Sequence, residues 1–529
     1  MKLPAPIRSV VDRFTRGTTA LTPPRAQSAY MRGGKHMVFS NWMPALRKAQ
    51  ADVAQSWDKA AARSIDLIQN SGWVSGMVDQ AVANTVGTGL RLRATPDHEE
   101  LGITADEARE LGQLFERRFR AWASNPQECD VEGKFTFAQL QASAFRAWFA
   151  TGEIWEEFVV RNRLGTSFQT KVRVFPATRI AREDDRMRRL VSGVYLDADD
   201  RAIGYRACRE NQFGGVEKFD VTARDPRGRA RVAHVFDGVP GQVRGISPMV
   251  PALMVAKLFD QLSDATITSW LIQTIFAASV TSDEPTEDIL QSLLSPQEQA
   301  KMTADGGTAY EAWFDAMQGW YDGAPLDLGV NGRIAHLFPG QKMEFLSAEN
   351  DAADYKTLAT LLLRETARCL GLTYESGTGD YEGATYSSVR MATSEIFQIT
   401  LYRRANIIRP MCQPAYEAVI EEEIARGRIT VPGGYSNFIA KRSAFCRSEW
   451  RGSPQPQADD LKTAKKHQIY QSMGVVTDEM IAQDLGTDVE TVYQGRAREK
   501  AMREKLDLPE AVVDPNAIKD VPAAEDQAA

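Results

Sequence analysis

The sequence predicts an α+β fold in which antiparallel strands and long helices occupy separate blocks of the chain. Apolar residues recur at three- and four-residue steps over residues 105–123, as they do on an amphipathic helix. Short stretches with strand character follow one another over residues 155–206, and the D-A-D-D turn at residues 197–200 indicates a hairpin. From Met249 onward no glycine occurs for about thirty residues, a length that would span roughly 45 Å as one helix.

Composition limits the classes of function. The 529 residues are 43% hydrophobic and 25% charged, which is ordinary for a soluble globular protein of several domains. The net charge of −7 argues against a protein whose main task is to grip the phosphate backbone. The five cysteines contain no C-x-x-C pair, and neither a signal peptide nor a membrane-spanning run is recognisable. We therefore expect a soluble protein of a reducing compartment.

The N-terminal part divides into a basic arm and a mixed block. Residues 1–48 carry nine Lys/Arg residues against one acid, Asp12, and we assign residues 1–40 to an arm. The first helix is predicted over residues 45–84, with a potential break at Gly72. A strand around Leu90 and Leu92 follows.

Further helices and strands complete this block. After the helix over residues 105–123, an aromatic-rich helix over residues 135–150 ends at Gly152, as a C-cap would. The predicted strands are residues 155–161, 171–175, 193–196 and 203–206. Antiparallel pairing fits these short, closely spaced strands better than a doubly wound parallel sheet.

The central stretch joins a glycine- and proline-rich turn to a long helix. Pro248 and Pro251 stand at the entry of this helix, and Ser247 can cap it. One face of the helix is apolar, with members recurring at helical spacing: Val255, Leu258, Phe259, Leu262, Ile267, Trp270, Leu271 and Ile275. The other face is polar. This pattern fits an ordinary core helix and equally a helix that packs against identical neighbours with its polar face towards water.

The C-terminal half is mainly helical. A second long helix is predicted over residues 354–370, and a loop with three glycines, three tyrosines and three acids over residues 373–386. Ser387 is the predicted cap of a third helix that reaches about Arg409. Pro410 and Pro414 should break or kink it, and residues 416–426 should continue as helix. After an S-P-Q-P-Q linker, helical pieces extend to Lys505, and the last twenty or so residues are expected to be disordered.

Signals for catalysis are weak. No G-x-x-x-x-G-K-[ST] phosphate loop is present, and the five histidines are far apart and form no H-E-x-x-H pair. The acids at 197–200 fit a hairpin turn, and Glu421–Glu423 are predicted to form a solvated helix face. We expect no catalytic residue, cofactor site or metal site. A metal-dependent DNA-processing enzyme and a membrane-associated pore remain as alternatives.

Several motifs occur in a recognisable order. They are A-R-S-I-D-L-I-Q-N-S-G-W from Ala62, N-T-V-G-T-G from Asn84, F-R-A-W-F-A-T-G-E from Phe145, Q-V-R-G-I-S-P from Gln242, L-F-P-G-Q from Leu337, C-L-G-L-T-Y-E from Cys369 and Y-S-S-V-R from Tyr386. In this order they resemble the portal protein family of lambda-like tailed bacteriophages. The likeness covers most of residues 41–500, whereas both ends and residues 282–330 match poorly.

The resemblance implies a multidomain portal fold assembled as a ring, usually of twelve subunits. It assigns a wing to residues 41–248, stem helices to 249–284 and 346–372, a clip to 285–345 and a channel loop to 373–386. It assigns residues 387–454 to a channel helix followed by a segment that returns to the wing. Residues 455–507 are assigned to a helical crown and residues 508–529 to a disordered acidic tail.

The resemblance also implies roles for particular residues. The channel loop would touch DNA through Tyr374, Gly377, Gly379, Asp380, Tyr381 and Tyr386. Arg390, Arg403 and Arg404 would supply a ring of positive charge, although salt bridges to neighbouring subunits explain these arginines equally well. Structural motif positions would be Gln242, Arg244, Gly245, Ser247, Ser387 and Ser388.

The implied function is mechanical and not enzymatic. A ring at one capsid vertex would admit the genome, driven by the terminase large subunit, and later release it. Further implied partners are the major capsid and scaffolding proteins, the head–tail connector and head-completion proteins, and double-stranded DNA that passes without sequence preference. The location would be the virion, after assembly in the host cytoplasm, without membrane contact.

Overall fold

The computed structural model describes residues 46–211, 213–275, 352–454, 460–487 and 489–508. The predicted basic arm (1–40), the clip (285–345) and the tail beyond residue 508 lie outside the described residues. The part of the central helix after Ile275 also lies outside them.

Two helices open the described chain. Helix α1 is Ala49–Asn70 and α2 is Gly72–Thr85, and Ser71 between them has an extended backbone. The predicted break therefore falls one residue before Gly72. Met77 and Val78 of α2 are fully buried in the main core, which shows that α2 is an interior helix.

Local capping signals define the next elements. They are β1 (Arg91–Ala94), α3 (His98–Leu101), α4 (Ala105–Ala123), α5 (Pro126–Cys129) and α6 (Phe137–Thr151). Thr104 and Glu107 form a capping box at the start of α4, and Thr136 and Gln139 form one at α6. Both predicted helices are confirmed, and Gly152 ends α6 in the left-handed conformation, as predicted.

The strands form three antiparallel sheets. One sheet has the order β3-β2-β8, where β2 is Glu153–Val160, β3 is Thr170–Phe175 and β8 is Val232–Phe236. The second has the order β4-β5-β6-β7. Its strands are β4 (Leu190–Val191), β5 (Val194–Leu196), β6 (Ala202–Glu210) and β7 (Val216–Thr222). The predicted hairpin between β5 and β6 is confirmed.

A two-stranded ladder joins distant parts of the chain. Strand β9 (Ser448–Arg451) pairs with β1, with Leu92 opposite Trp450. Neither β7, β8 nor β9 was predicted. The side chains of β7 alternate between charged and apolar but are mostly exposed, so no buried face marks this strand in the sequence.

The long helices follow the mixed block. A 3₁₀ turn at Val250–Ala252 leads into α7 (Leu253–Ile275), and the described chain resumes with α8 (Ala352–Leu370) and α9 (Tyr374–Thr378). Helix α10 is Tyr386–Arg403, and α11 is Arg409–Ala425. The shorter α12 (Gly434–Ala440) and α13 (Arg442–Phe445) precede β9.

The helical path continues past the prolines after α10, as predicted for residues 416–426, and the helix is unbroken at Pro410 and Pro414. A π-helical segment, Arg404–Ile408, connects α10 directly to α11, and the Arg409 N–H donates to the Arg404 carbonyl five residues earlier. Pro410 sits in the first turn of α11, where a missing N–H costs little. Pro414 is accommodated inside α11.

The C-terminal helices are α14 (Asp460–Ser472), α15 (Asp478–Asp484) and α16 (Val489–Lys505). They confirm the helical pieces that were predicted after the linker. Most of their residues are exposed, in contrast to α11, whose buried residues join the main core.

Candidate functional site

The predicted channel loop contains a short helix. The Thr373 hydroxyl accepts the Ser376 N–H at 3.0 Å and caps α9, and Gly379 ends α9 with a φ of +72°. A Cβ at Gly377 would lie 3.3 Å from Ala367 of α8 and 3.4 Å from Met77 of α2. The prediction of an irregular loop over residues 373–386 is therefore corrected, because its first part is a capped helix packed on α2 and α8.

The rest of the loop is held by polar contacts. The Tyr374 hydroxyl donates to Asp380 at 3.0 Å, and the Lys356 ammonium of α8 pairs with Glu382. Hydrogen bonds from the Glu382 N–H and from Tyr374 lower the pKa of Asp380. Tyr381, by contrast, is exposed. Tyr374 and Asp380 thus shape the loop, and Tyr381 is the aromatic residue of this group that is presented to solvent.

The N-cap of α10 lies two residues before the predicted one. Thr385, and not Ser387, is the N-cap, and it forms a capping box with Ser388, whose N–H it accepts at 3.3 Å. The Ser387 hydroxyl lies 3.3 Å from the Thr385 hydroxyl. Tyr386 is the first residue of the helix. The cap fixes the point at which the loop ends and α10 begins.

The three arginines of the expected basic ring do not lie together on a surface. Arg390 is exposed on α10. Arg403 is buried, donates to the Leu370 carbonyl at 2.6 Å and lies over the rings of Trp148 and Phe149. Burial lowers the pKa of Arg403 to about 10.

Arg404 is also buried. Its guanidinium donates to the carbonyls of Asn84, Thr85 and Ser453 at 2.8–2.9 Å. Burial lowers its pKa as well. The expectation that Arg403 and Arg404 line a channel is therefore corrected, because both guanidinium groups are buried inside the subunit and donate to backbone carbonyls. Of the three arginines, only Arg390 is exposed.

The Q-V-R-G-I-S-P turn is built around a buried ion pair. Arg244 Nε donates to both carboxylate oxygens of Glu153 at 2.8 and 3.0 Å, and Arg244 Nη1 donates to the Ser192 carbonyl at 2.7 Å. The Trp155 indole N–H donates to Glu153 at 2.6 Å. His234 stacks on Trp155 with the ring centroids 3.8 Å apart.

The electrostatics of this cluster favour a charged carboxylate. Burial raises the pKa of Glu153, but the contacts with His234 and Arg244 outweigh it and hold the pKa below its usual value. Burial lowers the pKa of His234. The contacts with His234 and Arg244 thus favour the ionised form of Glu153, and burial favours the neutral form of His234.

The other motif residues join this cluster to the long helices. Gln242 donates to the Arg244 carbonyl at 2.7 Å. The Ser247 hydroxyl donates to the Phe149 carbonyl at 2.5 Å and accepts the Met249 N–H at 3.1 Å. A Cβ at Gly245 would lie 2.2 Å from the Gly152 carbonyl oxygen. The turn is thus a close-packed joint between the end of α6 and the entry of α7.

The acidic run on α11 was interpreted wrongly as a solvated face. Glu421, Glu422 and Glu423 are all buried. Glu421 pairs with Arg442 at 2.8 Å, and Glu423 pairs with Arg118 and Arg428. Arg118, a partner of Glu423, and Gln169, a partner of Glu422, lie more than 250 residues away in sequence, so the local pattern gives no sign of them.

Of the three acidic residues, Glu422 is the one that accepts hydrogen bonds from backbone N–H groups. It accepts the N–H groups of Gln169 and Thr170 at 2.7–3.1 Å and pairs with Arg426 at 2.9 Å. Burial raises its pKa, and these donors lower it by more. Because each carboxylate of the run has basic or N–H partners, we interpret the run as a cross-link between α11, β3 and α4.

The alternatives based on metal or membrane have no support in the described residues. Within them, no group of three or more His, Cys, Asp or Glu side chains is placed to hold a metal ion. Asp197 accepts the N–H groups of Asp199 and Arg201, as expected for a turn residue. Among the described helices, none is long and apolar enough to cross a membrane.

Comparisons with known proteins agree with the resemblance. Residues 37–404 match the family described as "Phage portal protein, lambda family". The chain is 25% identical to portal protein B of Escherichia phage lambda over 501 residues, covering 93% of each chain. It is also 25% identical to the portal protein of Escherichia phage N15 over 506 residues, again covering 93% of each.

Solved structures also resemble this chain, with lower sequence identity than the two phage proteins. A chain from the virion of the native gene transfer agent particle and one from the neck of that particle, computed with C12 symmetry, each match with 17% identity and a TM-score of 0.34. Each match covers 78% of this chain and 99% of the other. Since the family match spans well over half of the sequence, the chain belongs to the lambda family of phage portal proteins, which are structural rather than catalytic.

Proposed function

We propose that the chain forms a closed homo-oligomeric ring, of twelve subunits, that serves as the DNA conduit at one vertex of a phage-type capsid. The family membership supports the general role. The structural observation that carries the proposal is an apolar surface on α7 and α8 that the described part of the subunit leaves uncovered.

This surface, which we call the stem face, consists of large apolar side chains that are 44–73% exposed. Its members are Met254, Leu258, Ile267, Trp270 and Leu271 of α7 and Leu358 and Leu361 of α8. Of the apolar stripe predicted on α7, Phe259 is buried, against Trp73. Large apolar side chains that are exposed on two adjoining helices indicate an interaction site.

The two helices form one unit. Helix α8 packs along α7, with the Ser263 and Tyr355 hydroxyls 3.2 Å apart and the Trp270 and Tyr355 rings 6.5 Å apart. The stem face therefore belongs to a helical pair and not to one isolated helix. We assign its occupant to neighbouring copies of the chain, which corresponds to the second of the two interpretations given for the central helix.

The domain assignments follow from this proposal. The sheets and the helices around them would be the wing, α7 and α8 the stem, and α14–α16 the crown. The segment 373–386 would be the channel loop, with Tyr381 at its exposed tip and Arg390 on the adjoining α10. Exposed aromatic and basic groups suit weak contact with DNA that must slide.

The partners belong to the same proposal. The terminase large subunit would drive DNA through the ring, and head–tail connector proteins would later close it. The major capsid and scaffolding proteins would surround the ring during assembly in the host cytoplasm. The segment expected to bind terminase, residues 285–345, lies outside the described residues.

The proposal is tested by placing a charge on the stem face. In separate variants, Leu271→Asp and Leu361→Asp should convert rings into smaller species in native mass spectrometry, because each puts an unpaired charge in a buried contact. The matched control is Met187→Asp, which changes an exposed methionine on a turn outside α7 and α8 and should leave rings intact.

Circular dichroism separates assembly from folding. A helical signal equal to that of the unaltered protein, together with loss of rings, supports the proposal. Rings that persist in both stem-face variants would show that this surface does not join subunits. Leu271→Ser and Leu361→Ser provide milder versions if the aspartate variants do not fold.

A further inference from the structure

The hairpin formed by β6 and β7 ends in exposed apolar side chains. Its last paired residues are Glu210 of β6 and Val216 of β7. Phe213, in the turn beyond them, is 86% exposed, and Val216 is 62% exposed. We call Asn211 and residues 213–216 the ribbon tip. It presents an aromatic and an aliphatic side chain to water at the end of a two-stranded ribbon.

The backbone of the ribbon tip is held by its own hydrogen bonds. The Asn211 side-chain oxygen accepts the N–H groups of Phe213 at 3.0 Å and Gly215 at 2.8 Å. The Asn211 N–H donates to the Gly215 carbonyl at 2.8 Å, and Gly214 adopts a φ of +77°, which glycine tolerates. These local bonds fix the position from which Phe213 projects. A large apolar ring presented by a preorganised turn is well suited to anchor a protein contact.

An apolar cleft lies between the two larger sheets, at the base of the same hairpin. It is lined by the buried Tyr205 and Val232 and by the partly exposed Phe175, Phe219 and Val221. Its empty volume is about 370 Å³, which includes the open mouth. We call it the sheet cleft. It offers an apolar surface that an aromatic side chain can cover.

The ribbon tip lies beyond the sheet cleft of its own subunit. Ala207 of β6 also lines the cleft. Glu210 stands three residues further along β6, roughly 10 Å away at about 3.3 Å per residue. The cleft and the tip are thus at opposite ends of one ribbon. A second copy of the chain can bring a tip and a cleft together.

The ribbon tip is flanked by an acid without an ion pair. Arg209 pairs with Glu217 across the hairpin at 3.3 Å, and its guanidinium lies over the Phe219 ring. Glu210 is exposed and has no ion pair among the described residues. Its carboxylate therefore remains available at the base of the turn.

The sheet cleft carries the opposite charge. Glu157, which lines the cleft, pairs with Arg173 at 3.2 Å. Arg179 also lines it, and its guanidinium lies over the Phe175 ring. Within the described part of the chain, Arg179 has no ion pair. An unpaired cation at the cleft complements the unpaired acid at the tip, and such complementarity selects a partner and its orientation.

We propose that the ribbon tip of one subunit packs into the sheet cleft of a second copy, with Phe213 as the apolar anchor and Glu210 facing Arg179 of that copy. Because the two surfaces differ, the contact is head-to-tail, the type of contact that closes into a ring when the rotation allows it. The proposal rests on the proposed ring. It adds to the stem face a second, separate contact between subunits.

Photocrosslinking of the full-length protein identifies what the tip touches. With p-benzoylphenylalanine in place of Phe213, irradiated rings should yield covalent dimers, and mass spectrometry of their peptides should locate the link within residues 173–180 or 205–221. The matched control places the same residue at Leu164, which is fully exposed on the turn between β2 and β3 and should give no link to these peptides. Intact rings in which position 213 links elsewhere, or not at all, would overturn the proposal.

Ring stability provides a second test. Phe213→Ser should raise the subunit concentration at which half of the rings dissociate by about tenfold, with the circular dichroism spectrum unchanged. Leu164→Ser is the control and should leave this concentration unaltered. Glu210→Arg should also weaken the rings, and Arg179→Glu in the same chain should restore them.

The outcomes separate this contact from the ring itself. Unchanged ring stability in Phe213→Ser, or no restoration by the second charge change, would overturn the tip-to-cleft contact and leave the proposed conduit standing. Absence of rings from the unaltered protein would contradict the conduit, and the contact with it.

Discussion

The Arg403 guanidinium donates a hydrogen bond of 2.6 Å to the Leu370 carbonyl, and so ties α10 to the C-terminal end of α8. The position after Leu370 is Gly371, where a Cβ would lie 2.8 Å from an Arg403 nitrogen. A cation at a helix C-terminus is favourable because it satisfies a free carbonyl and opposes the helix dipole. This arginine therefore links the proposed stem to the helix that follows the channel loop.

Arg403→Met should destabilise the protein. Loss of the donor leaves the buried Leu370 carbonyl without this partner, which costs on the order of 1–3 kcal/mol. Thermal unfolding at a fixed protein concentration measures the effect as a lower Tm. Arg390→Met, at an exposed position of the same helix, is the control and should change the free energy of unfolding by less than about 0.5 kcal/mol. If Arg403→Met and Arg390→Met had the same Tm, the stabilising role assigned to Arg403 would be contradicted.

Glu153→Gln should lower the free energy of unfolding by more than Arg403→Met does. The Arg244 guanidinium would remain buried without its counter-charge, and removing one partner of a buried pair costs on the order of 3 kcal/mol. Urea unfolding gives the difference in free energy. Glu157→Gln on the same strand alters a more exposed pair with Arg173 and should cost less than about 1 kcal/mol. A cost for Glu153→Gln as small as that of the control would show that the motif turn does not need the pair.

Gly152→Ala tests the junction between α6 and β2. Gly152 has a φ of +82°, and a Cβ there would lie 2.1 Å from the Ile246 carbonyl carbon. We expect loss of soluble, folded protein. Gly165→Ala is the matched control, since its φ is +80° but its Cβ would enter open space. The control isolates backbone strain, which costs about 1–2 kcal/mol, so similar yields of the two variants would exclude steric contact as the cause.

Glu156 predicts a pH dependence. Its side chain is fully buried, neither oxygen has a partner among the described residues, and burial raises its pKa well above the usual value. The folded state therefore keeps a proton that the unfolded chain releases above about pH 4.3. Stability is fully present below that pH and falls as the pH rises through the folded-state pKa.

The measurement is thermal unfolding of Glu156→Gln and the unaltered protein at several pH values. The amide cannot ionise, so the variant should gain relative stability by at most about 1.4 kcal/mol for each pH unit above pH 4.3. Near pH 4 the difference should be smallest. Parallel pH profiles for the two proteins would mean that Glu156 is solvated or paired.

Elements that depend on neighbouring residues could be predicted from the sequence, whereas contacts between residues far apart in the chain could not. The predictions of α4, of α6 with its Gly152 cap and of the β5–β6 hairpin are confirmed, because each depends on residues close together in the chain. The burial of Glu423 depends on Arg118, 305 residues away, and no local pattern reveals it. Strand β9 was missed for the same reason, since its partner β1 lies near the other end of the described chain.

The candidate site shows the same division. The glycines and acids of the loop marked it as a turn-forming segment, whereas the helical part needed the packing of Gly377 on α2 and α8 to be recognised. Arg403 and Arg404 lie on the helix predicted to follow the loop, and the resemblance implies that they contribute to a ring of positive charge. Their carbonyl acceptors, on α2, α8 and the segment after β9, come from other regions of the chain.

The central claim is a ring with an open channel, and negative-stain electron microscopy of the purified full-length protein, with native mass spectrometry on the same sample, tests it most directly. The account predicts closed rings with a central hole and a mass that is a whole multiple, expected to be twelve, of the 58.7 kDa subunit. A stable monomer or dimer over a wide range of protein and salt concentrations would contradict it.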